Sequence, residues 1–119
     1  MKTIDVCLSP DLLPLYAEKN MNMVMIDAIR ASATICTAMY YGIEKIIPIS
    51  DIATALSYKE KGFLIAGERN ALKVENFDYG NSPINFIDNN LKNKSLAITT
   101  TNGTQVLNRM KGFEPKKPR

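Results

Sequence analysis

Short apolar runs alternate along the chain with segments of helical periodicity. The apolar runs predict strands at residues 3–8, 21–26, 45–49, 63–66 and 96–99. The run at 21–26 is apolar almost throughout, as expected of a strand buried on both faces. Helices are predicted between and after these runs at residues 32–41, 51–61, 82–91 and 104–110. This alternation predicts an α/β fold in three layers, with a mostly parallel sheet and helices on both faces.

Local signals place several helix ends. Gly42 and Gly62 follow two of the predicted helices, Ser50 is the expected N-cap of the second, and Ser82-Pro83 favours a helix start. The connection at 67–81 has no convincing period over fifteen residues. Loops of that length inside a domain are usually functional or disordered.

The charge of the chain is concentrated at its C-terminal end. The net charge is +3 over 119 residues, but four basic groups and one acidic group lie in the last nine. Residues 1–110 therefore carry no net charge, and no folded element shows the clustered Lys and Arg of a nucleic-acid surface. No apolar run approaches the roughly 20 residues that cross a bilayer, and the N-terminus does not resemble a signal peptide. We expect no nucleic-acid or membrane partner.

The two cysteines, Cys7 and Cys36, stand in apolar surroundings without CxxC spacing. We expect both to be buried free thiols in a reducing compartment, which indicates a cytoplasmic protein.

The composition removes several catalytic classes. The chain has no histidine, which excludes histidine phosphatases, Ser-His-Asp triads and HExxH zinc sites. Neither cysteine has an arginine six positions later, and Ile29 stands where a paired-aspartate motif starting at Asp27 needs its second acid. The spacing Gly62-x4-Gly67 imitates a Walker A loop, but Glu68 replaces the lysine.

Polar residues follow three of the predicted strands, at 27–32, 67–69 and 100–104. Because the carboxyl ends of parallel strands meet in one crevice, these groups are expected to cluster at one sheet edge. Asp27, Glu68 and Asp78 offer hard oxygen ligands of the kind that Mg²⁺ prefers. Arg30 and Arg69 suit a phosphate or sulfonate group, and a turn before a helix presents N–H groups to an anion. Each signal alone is weak, since a single Asp at a strand end is more often a helix cap or turn former.

The same residues carry a family resemblance. Residues 27–35 resemble the IDVLRATST segment of 2-phosphosulfolactate phosphatases, and 66–83 resemble its AGER…K…FDLGNSP segment. Residues 99–104 match its TTTNGT segment. The resemblance implies magnesium-dependent hydrolysis of 2-phospho-3-sulfolactate to 3-sulfolactate and phosphate, a step in coenzyme M synthesis, and hence a small anionic phosphorylated substrate. Asn70-Ala71 replaces the family's usual Gly-Gly, which is expected to stiffen that loop.

Residue roles follow from the resemblance. It implies catalytic roles for Asp27, Arg30, Glu68 and Arg69, and magnesium ligation by Asp27, Glu68 and Asp78. The residues implied in binding the substrate or its phosphate are Arg30, Ser32, Arg69, Asn81, Ser82, Thr100, Thr101, Asn102, Gly103 and Thr104.

The resemblance divides the chain in two. Residues 1–110 are expected to form the N-terminal part of the family's domain, and 111–119 a disordered tail unlike the family. A chain truncated in this way is expected to be a poor enzyme or none. Two other interpretations stay open: a non-catalytic phosphate- or nucleotide-binding α/β module, and a fragment without function. A homo-oligomer is also left open.

Overall fold

A computed structural model describes residues 4–16, 21–111 and 113 of the chain. The chain divides into two units, one spanning Ile26–Gln105 and the other built from Met1–Met25 and Val106–Arg119. The first unit has an α/β fold with a mostly parallel sheet, which confirms the predicted class.

The sheet has four strands in the order β1-β4-β2-β3. Their bounds are Lys45–Pro48 for β1, Leu64–Arg69 for β2, Leu72–Lys73 for β3 and Ser95–Thr99 for β4. β4 pairs in parallel with both β1 and β2, whereas β3 is antiparallel to β2. The strands predicted at 45–49, 63–66 and 96–99 are confirmed. β2 runs three residues further than predicted, and the expected unstructured loop contains β3, because the chain turns back at residues 70–71 and pairs with the end of β2.

One α-helix connects β1 to β2, and the others precede β1 or follow β4. The α-helices are α1 (Leu13–Tyr16), α2 (Ala31–Tyr40), α3 (Ile52–Glu60) and α4 (Gly103–Met110). The helices predicted at 32–41, 51–61 and 104–110 are therefore confirmed. The cap of α3 is not Ser50 but Asp51, whose carboxylate accepts a 2.7 Å hydrogen bond from the Thr54 N–H.

The helix predicted at 82–91 is wrong in type. It is replaced by two short 3-10 helices, Pro83–Phe86 and Asn89–Leu91. Asp88 interrupts the segment in an extended conformation, and its carboxylate accepts a hydrogen bond from the Asn90 N–H at the start of the second helix. A side chain that satisfies the backbone locally competes in this way with a continuous helix.

Two apolar clusters take alternate residues of the strands. Leu96 and Ile98 of β4 pack in one cluster with Ala38 of α2, and Ala97 packs in the other with Ala55 of α3. Since successive strand side chains point to opposite faces, α2 and α3 belong to different faces of the sheet. Together the clusters contain residues 64–66 of β2 and 96–98 of β4, which directly precede the polar residues at the carboxyl ends of these strands.

Residues 21–26, which we call the apolar segment, belong to no strand of the sheet, so the strand predicted there is wrong. Val24 and Ile26 are exposed rather than buried. The strand predicted at 3–8 is also wrong over residues 4–8, and residue 3 lies outside the described residues. The two central strands, β4 and β2, already have a neighbour on each edge, so neither offers an edge to a further strand.

The cysteine prediction is also corrected in part. Cys7 and Cys36 are free thiols as expected, but Cys36 is exposed on α2 and Cys7 is half-buried.

In the second unit, a 3-10 helix at Pro10–Leu12 leads into α1, and Asp11 pairs with Arg109 at 2.6 Å between Oδ1 and a guanidinium nitrogen. Both side chains are largely exposed, so this ion pair adds little stability. The predicted disorder of 111–119 falls almost entirely outside the described residues. None of the helices in the described part of the chain has the length and apolarity that spanning a membrane requires.

Candidate active site

Glu68, near the end of β2, is fixed between two turns. Its carboxylate accepts a 2.8 Å hydrogen bond from the Thr101 N–H on one oxygen and a 3.0 Å hydrogen bond from the Ala71 N–H on the other. The residue is only 9% exposed. Each carboxylate oxygen has a further lone pair, so both remain able to bind a cation.

The electrostatic surroundings keep Glu68 ionised. Burial by itself raises the pKa of a carboxyl group, but the hydrogen bonds from Thr101 and Ala71 and the charge of Arg69 act in the opposite direction. The pKa of Glu68 therefore lies below its ordinary value. At neutral pH this position carries a negative charge.

The turn after β4 is held by a reciprocal pair of threonines. The Thr100 N–H donates to Thr104 Oγ1 and the Thr104 N–H donates to Thr100 Oγ1, both at 3.3 Å. The Thr104 hydroxyl also donates to the Thr100 carbonyl at 2.9 Å. These bonds fix the entry into α4, whose first N–H groups have no partner within the helix.

Asp27 lies against this same turn. A Cβ atom added at Gly103 would stand 3.2 Å from Asp27 Oδ2 and 3.2 Å from Thr100 Oγ1, so glycine leaves room for the carboxylate at the start of α4. The positive end of a helix dipole favours a negative charge there. No described residue donates a hydrogen bond to the Asp27 carboxylate, and none pairs with the Arg30 guanidinium.

Asp27, Arg30 and Glu68 line one cavity of about 300 Å³. Its other lining residues are Ile29, Asn70, Ala71, Asn81, Thr100, Thr101, Asn102 and Gly103. The structure thus brings together eight of the residues predicted for the site. Ile29, Asn70 and Ala71 were not predicted as site residues, although the replacement of Gly-Gly by Asn70-Ala71 marked that turn.

Asp78, predicted as a metal ligand, does not line the cavity. Its Oδ2 accepts a 2.9 Å hydrogen bond from the Ile65 N–H, and its Oδ1 pairs with Lys59 Nζ at 2.8 Å. Asp78 thus ties the start of β2 to α3. The described residues contain no group of three or more His, Cys, Asp or Glu side chains suited to a metal ion.

Four other predicted residues also stand outside the cavity lining: Ser32, Arg69, Ser82 and Thr104. The Arg69 guanidinium donates to Thr99 Oγ1 at 3.0 Å and to the Glu68 carbonyl at 2.7 Å, so it ties β2 to β4. Thr104 supports the turn, as described above. Ser82 precedes a 3-10 helix without a side-chain cap bond, and Ser32 lies in the first turn of α2.

Comparison with known proteins places the chain in a family. A family model described as 2-phosphosulpholactate phosphatase matches residues 7–116. The match includes six residues of the segment assigned above to a tail unlike the family.

Curated relatives agree with that match. A probable 2-phosphosulfolactate phosphatase of Thermotoga petrophila is 45% identical over 91 residues, which cover 76% of this chain and 40% of the relative. One from Caldanaerobacter subterraneus subsp. tengcongensis is 39% identical over 100 residues, which cover 81% of this chain and 42% of the relative. One from Clostridium beijerinckii is 36% identical over 118 residues, which cover 96% of this chain and 49% of the relative. The chain spans less than half the length of these relatives.

Proposed function

This chain belongs to the 2-phosphosulfolactate phosphatase family, and we propose that its cavity binds and hydrolyses a small phosphate monoester with the help of Mg²⁺. The substrate named by the relatives is 2-phosphosulfolactate. In the proposed reaction the oxygen of a water molecule bonds to phosphorus, the P–O ester bond breaks, and the leaving alkoxide takes a proton from the water, so that the products are phosphate and 3-sulfolactate.

The observation that carries the proposal is that an acidic and a basic side chain line the same cavity, and that neither is bonded to another described residue. Asp27 and Arg30 line it together, and no described residue forms a hydrogen bond or ion pair with the end group of either. The carboxylate is free to bind a cation and the guanidinium is free to bind an anion. This combination suits a phosphate ester bound together with a metal ion.

The donor set fits magnesium. Mg²⁺ takes one or two carboxylates and keeps several waters and phosphate oxygens, and Asp27 and Glu68 supply two carboxylate side chains in the same cavity. When bound, the metal would neutralise phosphate charge and lower the pKa of a coordinated water. Asp27 and Glu68 are the residues proposed to hold it.

The remaining groups of the cavity act on the anion. Arg30 has the planar fork that binds phosphate or sulfonate oxygens through two hydrogen bonds. The start of α4 contributes the positive end of its dipole, and the Thr100–Thr104 bonds keep that end in position. The chain's own residues would therefore orient the ester toward the two carboxylates.

The test is phosphate release from 2-phospho-3-sulfolactate by the 119-residue chain, with Mg²⁺ and with a chelator. Release is expected with Mg²⁺ only, and Asp27→Asn is expected to lower it by roughly 100-fold or more, because preorganised charges at a reacting centre contribute on that scale. A full-length relative serves as the reference for turnover, and we propose that the chain alone is slower than this reference.

The matched control is Glu75→Gln. It also removes one negative charge, but Glu75 is exposed and does not line the cavity, so the rate is expected to stay at the wild-type value. Phosphate release that survives chelation, or that Asp27→Asn leaves unchanged, would contradict the proposal.

A further inference from the structure

Asn81 has a buried amide oxygen without a partner. The residue is 8% exposed and lines the cavity, and its Oδ1 accepts no hydrogen bond. Buried polar atoms are nearly always satisfied, because leaving one unpaired costs the desolvation of that group. A buried oxygen left unpaired by the described residues, on a residue that lines a cavity, therefore suits a ligand.

The backbone is anchored on both sides of Asn81. Tyr79 forms a bridge with Ala66 of β2, and the Gly67 N–H donates to the Tyr79 carbonyl at 3.1 Å. On the other side, the 3-10 helix Pro83–Phe86 is anchored by the fully buried Phe86. Asn81 thus lies between two anchored segments, which positions its short side chain for binding.

The neighbours of Asn81 decide what kind of ligand its oxygen suits. Two carboxylates, Asp27 and Glu68, line the same cavity. A carbonyl oxygen beside two carboxylates attracts a cation, whereas a phosphate would meet repulsion from all three. Mg²⁺ and its relatives accept neutral oxygen ligands together with one or two carboxylates.

We infer that Asn81 Oδ1 is a third, neutral oxygen ligand of the divalent cation held by Asp27 and Glu68. This inference rests on the proposed function, since it concerns the same cation. It assigns Asn81 to the metal in place of Asp78, and in place of the substrate contact that the resemblance implied. The alternative is an amide turned by 180°, whose NH2 group would donate to the substrate phosphate instead.

Metal binding without substrate separates the two orientations. Mn²⁺ is titrated into the 119-residue chain, and the free ion is followed by electron paramagnetic resonance. Asn81→Leu, which removes the oxygen at similar size, is expected to weaken Mn²⁺ binding roughly tenfold or more, since even indirect metal partners contribute 10- to 100-fold. Asn81→Asp adds a charged oxygen at the same place and is expected to tighten binding about tenfold, as ligand charge does in other oxygen sites.

Asn85→Asp is the matched control. Asn85 is exposed, stands four residues away and does not line the cavity, so this variant adds the same charge without adding a ligand. Its Mn²⁺ affinity is expected to stay within about twofold of wild type, because an exposed charge is screened by salt. Thermal melts check that every variant folds, and Asn81→Asp can still overturn the inference if Asn81→Leu does not fold.

Each outcome is decisive. Weaker binding by Asn81→Leu than by the wild type, together with tighter binding by Asn81→Asp than by Asn85→Asp, supports ligation. Equal Mn²⁺ affinities of Asn81→Asp and Asn85→Asp overturn the inference, even if a variant changes the KM for the substrate. The proposed metal-dependent phosphatase activity would not be affected by that result. If the wild-type chain binds no Mn²⁺, the inference falls together with the metal requirement, while phosphate release in the presence of a chelator would show that hydrolysis itself persists.

Discussion

β4 and the apolar segment are both rich in apolar residues, but the apolar residues of β4 are buried whereas Val24 and Ile26 of the apolar segment are exposed. β4 (Ser95–Thr99) is the central strand, with Leu96, Ala97 and Ile98 all buried. The apolar segment is as apolar as β4, yet Val24 is 84% exposed and Ile26 is 87% exposed. The difference lies in the partners: β4 is paired along both edges and covered by an apolar cluster on each face.

The comparison teaches that hydrophobicity gives a segment the potential for burial but does not choose its neighbours. Burial in a sheet requires a free edge with matching register and side chains to cover both faces. β2 and β4 satisfy each other's edges, and the apolar segment is not a strand of the sheet in the part of the chain that the structure describes.

The largest expected effect contrasts two isoleucines of these regions. Ile98→Ala removes a side chain that is 1% exposed in the core, and is expected to lower the free energy of unfolding by about 2–5 kcal/mol. Ile26→Ala makes the same chemical change at an exposed site and is expected to stay within about 0.5 kcal/mol of wild type. Urea unfolding followed by circular dichroism measures both. Equal costs would mean that the apolar segment is buried in solution.

A smaller effect tests how closely β2 and β4 approach. A Cβ atom at Gly67 would lie 2.5 Å from the Thr99 carbonyl oxygen, so Gly67→Ala must push two paired strands apart. Overpacking of this kind is expected to cost about 1–3 kcal/mol. The control is Gly80→Ala, where the nearest atom is 3.4 Å away and belongs to the side chain of Asn85. A Gly67→Ala protein as stable as the control would show that the strands can separate freely.

The smallest effect concerns the turn between β2 and β3. Asn70 and Ala71 both have positive φ, 53° and 64°, as a two-residue type I′ turn requires. The left-handed region costs a non-glycine residue about 1–2 kcal/mol, which exceeds the roughly 0.5–1 kcal/mol that glycine loses through its flexibility.

Ala71→Gly is therefore expected to raise the free energy of unfolding by about 0.5–1 kcal/mol, measured by urea unfolding. The same substitution at Ala53, an exposed position inside α3, is expected to lower it by about 1 kcal/mol. If both substitutions destabilise the protein, Ala71 is not strained in solution.

Much of the site was predictable because it follows strand ends. Glu68 lies near the end of β2 and the turn at 100–103 follows β4. Asp27 and Arg30 were identified from a predicted strand that does not form, yet the structure brings them to the same cavity. Asp78 was predicted as a metal ligand, and its sequence position gives no sign that its carboxylate accepts a hydrogen bond from the backbone of β2 and pairs with the side chain of Lys59. Whether any of these residues binds metal or substrate stays a prediction.

The sequence by itself determined the α/β class, three strands and the helices α2, α3 and α4, because periodicity and glycine stops are local properties of the chain. It also determined which family motifs are present. Only the tertiary structure decided that the apolar segment forms no strand of the sheet, that Asp78 and Arg69 hydrogen-bond to β2 and to Thr99, and that Asn81 lines the cavity with a buried oxygen unpaired. Each of these features depends on which residues distant in sequence supply a strand edge, a hydrogen-bond donor or an opposite charge. The local sequence pattern does not contain that information.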